Sequence, residues 1–224
     1  MTAVSPAPTT VTFDVIGTLF SLDRLRAELR DVGAPEGALE LWFGQSLRDY
    51  FAFSHAGGYV PLKGVLEAAL PRALAAVGIH VDAGRAQAVV ATMAELDLAP
   101  GGREACAALR AAGCRLVALS NGSRDATAGL LRRAGLLEAF AAVRSCDEIA
   151  VSKPAPEAYA LAREAAEGEL WMVAAHAWDV AGAARAGLRT AWVSSAEGSY
   201  LAAYPPPDVV AGDLAEAATA LLDR

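Results

Sequence analysis

The sequence predicts an α/β fold in which a parallel sheet carries helices on both faces and a helical segment follows the first strand. Short apolar runs alternate with helical patterns from residue 99 onward, and this alternation is typical of parallel sheets. Residues 21–98 show helical periodicity without a convincing strand. We therefore expect a core formed by residues 9–20 and 99–224, and a cap over the strand ends formed by residues 21–98.

The elements are predicted from apolar spacing and from turn residues. A buried strand is expected at 11–15, and one helix of the inserted segment places Trp42 and Tyr50 on the same apolar face. Two further helices of this segment are expected at 62–77 and 83–96. In the remainder, we expect strands at 116–119, 141–143, 171–174 and 190–193, and helices at 104–111, 125–134, 156–166, 180–186 and 213–222.

The composition excludes several classes of partner. The formal net charge of −7 at pH 7 argues against nucleic acid, which binds basic surfaces. No apolar run reaches the roughly 18 residues that a membrane helix needs, so no membrane partner is expected. The first ten residues read as a disordered lead-in rather than a signal peptide. The three cysteines lack metal-type spacing, which indicates free thiols in a reducing cytoplasm.

Polar residues follow four of the predicted strands, where the ligands of a parallel sheet bind. They are Asp14 and Thr18, then Ser120 and Asn121, then Lys153 with Tyr159 one helical turn later, and finally His176 and Asp179. Taken singly, each has a structural explanation, such as a helix cap for a carboxylate or an ordinary turn for Ser-Asn-Gly. Their common position at strand ends favours a functional site.

The chemistry of this set is that of a carboxylate nucleophile. Asp14 must stay ionised in order to attack, and a nearby ammonium group such as that of Lys153 would hold its pKa down. Asp179 is placed to orient Lys153 or to position a water molecule.

Donors are also available for the negative charge that develops during such an attack. The hydroxyl groups of Thr18 and Ser120 and the amide of Asn121 suit this role.

These motifs resemble those of the haloacid dehalogenase (HAD) superfamily. They are Asp14-x-x-Gly17-Thr18, Leu119-Ser120-Asn121-Gly122, Lys153-Pro154 and Trp178-Asp179. The resemblance covers the chain from about residue 9 and implies a Rossmann-like core with a C1-type helical cap. The segment Lys153-Pro-x-Pro-x-x-Tyr159 is most similar to the branch of type II L-2-haloacid dehalogenases.

The resemblance implies a mechanism and a set of roles. Asp14 would attack an electrophilic carbon or phosphorus, and water would then cleave the aspartyl ester or aspartyl phosphate. Dehalogenases of this branch require no metal and act on small carboxylic acids. In phosphatases of the superfamily Mg²⁺ takes part, and Asp14 and Asp179 would hold it here. A homodimer formed through the cap is also implied.

Two positions depart from the phosphatase pattern. Phosphatases have a second aspartate where this chain has Ile16, and many have a metal-binding acid where it has Ala175. General acid catalysis is commonly worth about 10²–10⁴-fold, and isoleucine has no proton to give. The sequence therefore argues against hydrolysis of ordinary phosphomonoesters, whereas a halide leaves without a proton.

The residues around the leaving group depart from the dehalogenase pattern as well. Phe43 stands where an arginine that contacts the halide is expected, and Arg48, about one turn later, is the candidate substitute. Ala174 and His176 replace a serine and an asparagine. The predicted substrate-binding residues are Asn121, Tyr159, His176, Arg48 and Phe43.

Three functions are consistent with these residues. The first is an aspartate-nucleophile hydrolase that acts at carbon, on a 2-haloacid or on another small acid with a reactive bond, ring-opening of a strained cyclic amino acid included. The second is a phosphatase with atypical acid catalysis, in which His176 supplies the proton. The third is a non-catalytic member that binds a ligand in the same pocket.

Overall fold

The computed structural model describes residues 9–224 and confirms the predicted α/β class. The predicted lead-in at residues 1–10 therefore lies mostly outside the described residues. The strands are β1 (Thr9–Asp14), β2 (Arg115–Ser120), β3 (Phe140–Ser145), β4 (Glu169–Ala174), β5 (Arg189–Val193) and β6 (Val209–Ala211). The helices are α1 (Asp23–Asp31), α2 (Ala38–His55), α3 (Leu62–Ala75), α4 (Ala83–Ala91), α5 (Gly102–Ala111), α6 (Arg124–Arg133), α7 (Pro156–Glu164), α8 (Ala177–Arg185) and α9 (Leu214–Leu222).

The six strands form one parallel sheet in the order β3-β2-β1-β4-β5-β6. The chain moves outward from β1 to β3, then returns to the other side of β1 and moves outward again. The strand order therefore reverses at β1 and β4, and ligands of open parallel sheets bind beyond the carboxyl ends of the strands at such a point. Asp14 is the last residue of β1.

Both faces of the sheet are buried, as expected for strands that read as continuous apolar runs. Leu116 and Ala118 of β2 belong to one apolar cluster, and Val117 and Leu119 belong to the other. Helices α5 and α9 cover the first face, and α7 and α8 cover the second. This packing fixes the strand ends, and with them the loops that carry polar residues.

Residues 21–98 form the helical segment, which contains α1–α4 and a short 3₁₀ turn at Thr92–Glu95. Its own core includes Trp42, which is fully buried and whose Nε1 donates to the carbonyl of Leu66 at 3.0 Å. The two connections to the sheet run side by side, because Phe20 and Leu98 form an antiparallel bridge. The chain therefore enters and leaves the helical segment through two adjacent connections.

Several boundaries differ from the predictions. Strand β6 was not predicted, since it has only three residues and follows a run of three prolines. The helix predicted at 83–96 ends at Ala91 and continues as the 3₁₀ turn. Helix α8 begins at Ala177 rather than at 180, which places Asp179 in its first turn. No helix among residues 9–224 has both the length and the apolar character that crossing a bilayer requires.

Candidate active site

The loop after β1 turns back tightly over Asp14. Gly17 has a φ of 83°, its N–H donates to the carbonyl of Phe20 at 2.9 Å, and Phe20 in turn donates to Val15 at 2.9 Å. A Cβ at Gly17 would lie 2.6 Å from Nε2 of His176. Two independent features therefore require glycine at this position. They are the positive φ and the close approach of the imidazole.

Asp14 is almost fully buried, and each of its carboxylate oxygens accepts a hydrogen bond. Oδ1 accepts from Nζ of Lys153 at 2.7 Å, and Oδ2 accepts from Oγ1 of Thr18 at 2.6 Å. Thr18 Oγ1 itself accepts from the backbone N–H of Ala175 at 2.9 Å. Because a hydroxyl has a single hydrogen, the bond from Ala175 directs that hydrogen towards Asp14.

Lys153 is fully buried and connects the polar strand ends. Its ammonium donates to Oδ1 of Asp14 at 2.7 Å, to Oδ2 of Asp179 at 2.6 Å and to the carbonyl of Leu119 at 3.3 Å. Its backbone N–H donates to Oδ1 of Asn121 at 2.9 Å. The three hydrogens of the ammonium thus match three oxygens, which is what a buried charge requires.

Asp179 and Tyr159 form the rear of this cluster. The Tyr159 hydroxyl donates to Oδ1 of Asp179 at 2.7 Å, and both side chains are fully buried. The prediction that Tyr159 binds substrate is therefore corrected, because its hydroxyl is directed to Asp179 and away from the cavity. A Cβ at Gly182 would lie 2.5 Å from Cβ of Pro154, so α8 packs too closely here for any larger residue.

The two carboxyl groups have opposite pKa shifts. Burial raises the pKa of Asp14, but the Lys153 ammonium, the charge of His176 and the Thr18 hydroxyl outweigh it, so the pKa lies below its ordinary value of 3.8. At Asp179 burial is the largest effect, and it raises the pKa. The negative charge of Asp14 raises this pKa further, and the Lys153 ammonium lowers it by less than these two effects together. Burial lowers the pKa of Lys153, but the two carboxylates raise it above its ordinary value.

The same geometry bears on the predicted Mg²⁺ ligands. Asp14 and Asp179 both direct an oxygen at the ammonium of Lys153, so that one cation already lies between them. Among residues 9–224 no group of three or more acidic, histidine or cysteine side chains is arranged to hold a metal ion. The donor set therefore does not fit Mg²⁺, which prefers octahedral coordination by oxygen.

A small cavity lies directly beside the carboxylate of Asp14. Its volume is about 10 Å³, which is enough for one water molecule. Three polar side chains contribute to its wall, and apolar side chains from both the core and the helical segment form the rest. The lining residues are Asp14, Asn121 and His176, with Ile16, Phe43, Leu47, Leu62 and Trp178.

His176 packs against two aromatic rings on the wall of this cavity. Its ring centroid is 6.0 Å from that of Phe43 and 5.5 Å from that of Trp178, and the Trp178 ring is nearly parallel to it. Nε2 is 3.3 Å from the carbonyl of Ile16, and Nδ1 is 3.4 Å from Oε1 of Glu197. Burial lowers the pKa of His176, but Glu197 and Asp14 raise it above 6.5 overall.

Glu197 was missed by sequence reasoning. Its second carboxylate oxygen accepts from the N–H of Ala177 at 3.0 Å, so Glu197 both caps the first turn of α8 and contacts His176. It lies in an exposed loop, eighteen residues after Asp179 and outside every motif. Only the fold brings it to the site.

Arg48 does not reach the cavity, which corrects its assignment as a substrate-binding residue. Its guanidinium pairs with Asp49 at 2.8 Å, and its side chain is largely exposed. Phe43 and Leu47 are four residues apart and share the face of α2 that lines the cavity. Arg48 is rotated by about 100° from Leu47 around the helix axis.

The two donors predicted after β2 have different positions. Ser120 is fully buried and does not line the cavity, and its Oγ accepts from the N–H of Gly122 at 2.9 Å, which holds the turn. Asn121 lines the cavity, and its Oδ1 is bonded to the backbone of Lys153. Its NH₂ group is therefore the part of the amide that can serve a ligand.

Fold and site together place the chain among α/β hydrolases whose ligand site lies at the end of the first strand. The chain belongs to the haloacid dehalogenase-like hydrolase family, whose sequence model matches residues 8–187. This confirms the resemblance that the motifs indicated, including the L-2-haloacid dehalogenase branch.

Individual relatives match this chain over most of its length. The chain is 31% identical over 215 residues to (S)-2-haloacid dehalogenase 2 of Pseudomonas sp. (strain CBS-3), covering 92% of each chain. It is 31% identical over 191 residues to (S)-2-haloacid dehalogenase of Xanthobacter autotrophicus, covering 82% of this chain and 74% of that one. The structure of L-2-haloacid dehalogenase from Xanthobacter autotrophicus superposes with a TM-score of 0.85 at 24% identity, covering 96% of this chain and 99% of that one.

Proposed function

We propose that this hydrolase cleaves a carbon–halogen bond, or a bond of similar reactivity, at C2 of a small carboxylic acid. The observation that carries the proposal is the position of Asp14, a buried carboxylate at the strand switch point that Lys153 and Thr18 keep ionised. Several relatives are named (S)-2-haloacid dehalogenases. One structure of the Xanthobacter enzyme has chloropropionic acid covalently bound, as an ester intermediate would require.

In the first step, a carboxylate oxygen of Asp14 attacks C2 of the acid. A carbon–oxygen bond forms as the carbon–halogen bond breaks, and the electron pair leaves with the halide. The halide needs no proton, so the isoleucine at position 16 does not hinder this step. The apolar wall excludes bulk water, which strengthens the electrostatic interactions around the reacting carbon.

In the second step, water attacks the carbonyl carbon of the aspartyl ester. The Lys153 ammonium and the Thr18 hydroxyl contact the two oxygens of Asp14, and these donors stabilise the negative charge of the tetrahedral intermediate. Collapse of the intermediate releases a 2-hydroxy acid and restores the carboxylate. One proton of the water passes to the departing alkoxide oxygen and forms the product hydroxyl, the other passes to solvent, and the water oxygen stays in the carboxylate of Asp14.

The remaining residues of the cluster act through these groups. Asp179 holds the ammonium of Lys153 from the side opposite Asp14, and Tyr159 holds Asp179. We propose Asp179 and Tyr159 as positioning residues, and Asn121 and His176 as groups that contact substrate. This scheme needs no metal, because a halide leaves without a proton and Lys153 already pairs with both carboxylates.

We also propose that residues 21–98 act as a cap over the site. The cavity above Asp14 holds about one water molecule, so a substrate enters only when the helical segment and the core move apart. The buried free thiols of Cys106, Cys114 and Cys146 support a cytoplasmic location. The homodimer implied by the resemblance remains a prediction, which light scattering of the purified chain tests.

The decisive experiment is a substrate panel measured with EDTA and, separately, with Mg²⁺. We expect halide release from a 2-haloacid in the presence of EDTA, with one enantiomer preferred. Asp14→Asn should lower the rate by at least about 10⁴-fold, because it removes the nucleophile. Asp125→Asn, a change of an exposed carboxylate in α6, is the matched control.

Isotope labelling tests the covalent step directly. A single turnover in H₂¹⁸O should place the label in the carboxylate of Asp14, because water attacks the ester at its carbonyl carbon. Label that appears only in the 2-hydroxy acid during that turnover would contradict the nucleophile assignment.

The same panel decides between the alternatives. His176 lies on the cavity wall with a raised pKa, which favours a phosphatase that uses it as an acid over one without an acid. Phosphate release that depends on Mg²⁺ would replace the carbon chemistry with that function. A binding protein would show no turnover, together with a ligand-induced thermal shift that survives Asp14→Asn.

A further inference from the structure

An apolar groove opens on the surface between the helical segment and the core. Residues from α3, from α4 and the following 3₁₀ turn, and from α6 form its walls, with Leu66, Met93 and Leu130 among them. Its volume is about 370 Å³, which lies within the range of small-molecule sites. Of the motif residues only Ile16 and Gly122 reach this space, and none of the proposed catalytic residues lines it.

The groove adjoins the cavity above Asp14. The side chains of Ile16 and Leu62 line both spaces and so form part of the boundary between them. Ile16 Cδ1 lies 3.0 Å from the position that a Cβ of Gly122 would take, so Ile16 packs closely against the turn after β2. A polar acid at position 16 would make this boundary less suitable for a hydrocarbon.

A second opening on the other side of the cavity has a different character. Its wall combines apolar side chains with charged ones, including Arg26, Glu40 and Glu197. A carboxylate, a halide and water are better solvated there, whereas the groove that contains Leu66 and Met93 has the smaller polar share and suits an apolar chain better.

We infer that the substrate carries an apolar chain at C2, of several carbons, which lies in the groove between α3 and α6 while C2 is held at Asp14. The inference rests on the proposed function for the position of the reacting carbon. The cavity itself holds too little volume for such a chain, so the groove is the space that admits it. The site thus selects medium-chain 2-substituted acids over 2-substituted propanoates.

The test compares 2-chloropropanoate, 2-chlorohexanoate and 2-chlorooctanoate as substrates. We expect kcat/KM to rise by about fourfold for each added methylene that the groove buries. In parallel, calorimetry measures the binding of unreactive propanoate, hexanoate and octanoate to the wild type. Affinity should increase along this series in the same way.

Two exposed alanines of the groove supply the variants. Ala126→Phe and Ala94→Phe should fill the groove from opposite walls and lower the ratio of kcat/KM for the eight-carbon to the three-carbon acid by at least about tenfold. Ala52→Phe, at an exposed alanine in a separate groove, is the matched control and should leave the ratio unchanged. Thermal melts confirm that each variant is folded.

The outcomes separate the inference from the proposed function. Equal binding of propanoate and octanoate overturns the groove assignment, whether or not halide is released. Octanoate binding that strengthens with chain length and weakens in Ala126→Phe supports the groove even if no 2-chloro acid is turned over. The absence of turnover would then contradict only the proposed function.

Discussion

The two walls of the nucleophile cavity differ in chemistry. The core contributes Asp14, Asn121 and His176, and behind them the fully buried Lys153. The helical segment contributes Phe43, Leu47 and Leu62, all apolar. The charged groups of the cavity therefore all belong to the core. The apolar wall of the helical segment determines the shape of the cavity and excludes water.

This difference separates reactivity from selectivity. Ion pairs of the helical segment, such as those of Arg26 with Glu40 and Lys63 with Glu67, lie on its exposed surface, so they do not act on Asp14. An apolar wall can change shape without altering the electrostatics that keep the nucleophile ionised. We expect changes in the core to abolish turnover and changes in the helical segment to alter substrate preference.

The largest expected effect comes from Lys153→Met. This change leaves Asp14 and Asp179 buried without their shared cation, which costs about 3–5 kcal/mol of unfolding free energy. Turnover should also be lost, because the pKa of Asp14 is no longer held down. Urea denaturation at neutral pH measures the first effect, and the halide assay measures the second.

The chain provides a matched control for this variant. Its only other lysine, Lys63, is exposed and 3.7 Å from Glu67, so Lys63→Met should change stability by less than about 1 kcal/mol. In the double variant Lys153→Met/Asp179→Asn, one unpaired charge is removed and part of the stability should return. If Lys153→Met alone were as stable as the wild type, Lys153 would not be what holds the buried cluster together.

The core wall could be predicted from the sequence because each of its residues directly follows a strand. In a parallel sheet the carboxyl ends of the strands meet at one edge, so Asp14, Lys153 and Asp179 converge although they are far apart in the chain. Lys153 then reaches both carboxylates because its side chain is long and its positive charge attracts their negative charges. The order of the motifs was therefore enough to predict that these side chains lie together, whereas their catalytic roles remain predictions.

The opposite wall could not be predicted in the same way. Which face of α2 is directed at the cavity depends on how the helical segment is seated, so Arg48 was placed in the site and lies outside it. Glu197 reaches His176 from a loop that has no regular pattern. Tyr159 was assigned to the correct cluster but to its wrong side, because the sequence does not show which way the hydroxyl is directed.

A smaller effect is expected from Tyr59→Phe, which loosens the contact between the two walls. The Tyr59 hydroxyl donates to Oδ1 of Asp147 in the core, and it lies 3.2 Å from the hydroxyl of Tyr50. Tyr50 donates to the carbonyl of Asn121 at 3.4 Å. Loss of the Tyr59 hydroxyl should cost about 1 kcal/mol of unfolding free energy and raise KM more than it lowers kcat.

The control for this variant is Tyr204→Phe, which removes the hydroxyl of a partly buried tyrosine that packs against Tyr200 in the core. Urea denaturation and steady-state kinetics measure both variants. If Tyr59→Phe and Tyr204→Phe gave the same KM, the hydrogen bonds of Tyr59 would have no part in closing the cap.

The smallest expected effect is a pH dependence that belongs to the core wall. Both ring nitrogens of His176 lie near oxygen acceptors, Nε2 near Ile16 and Nδ1 near Glu197, so the doubly protonated ring has a partner at each nitrogen. Asp14, Asp179, Lys153 and Glu197 are the charged groups around it, and negative charges predominate. Burial opposes the positive charge, but these acceptors raise the pKa of His176 above 6.5.

The direction of the effect follows from linkage. A raised pKa means that the charged form contributes stability fully below pH 6.5, and that this contribution is lost as pH rises through the pKa of the folded state. The lowered pKa of Asp14 acts in the opposite direction and only in acid, where its contribution is lost as pH falls below 3.8. The range from about pH 5.5 to 9 therefore reports on His176 and not on Asp14.

The variant that isolates this effect is His176→Gln, which keeps a hydrogen-bonding side chain without a titratable ring. The difference in unfolding free energy between wild type and variant should be largest below pH 6.5 and should decrease as pH rises. Glu197→Gln should reduce the slope, because it removes a charge that favours the imidazolium. A difference that stays constant from pH 5.5 to 9 would mean that folding does not shift the pKa of His176, so that Glu197 and Asp14 would not favour the charged ring.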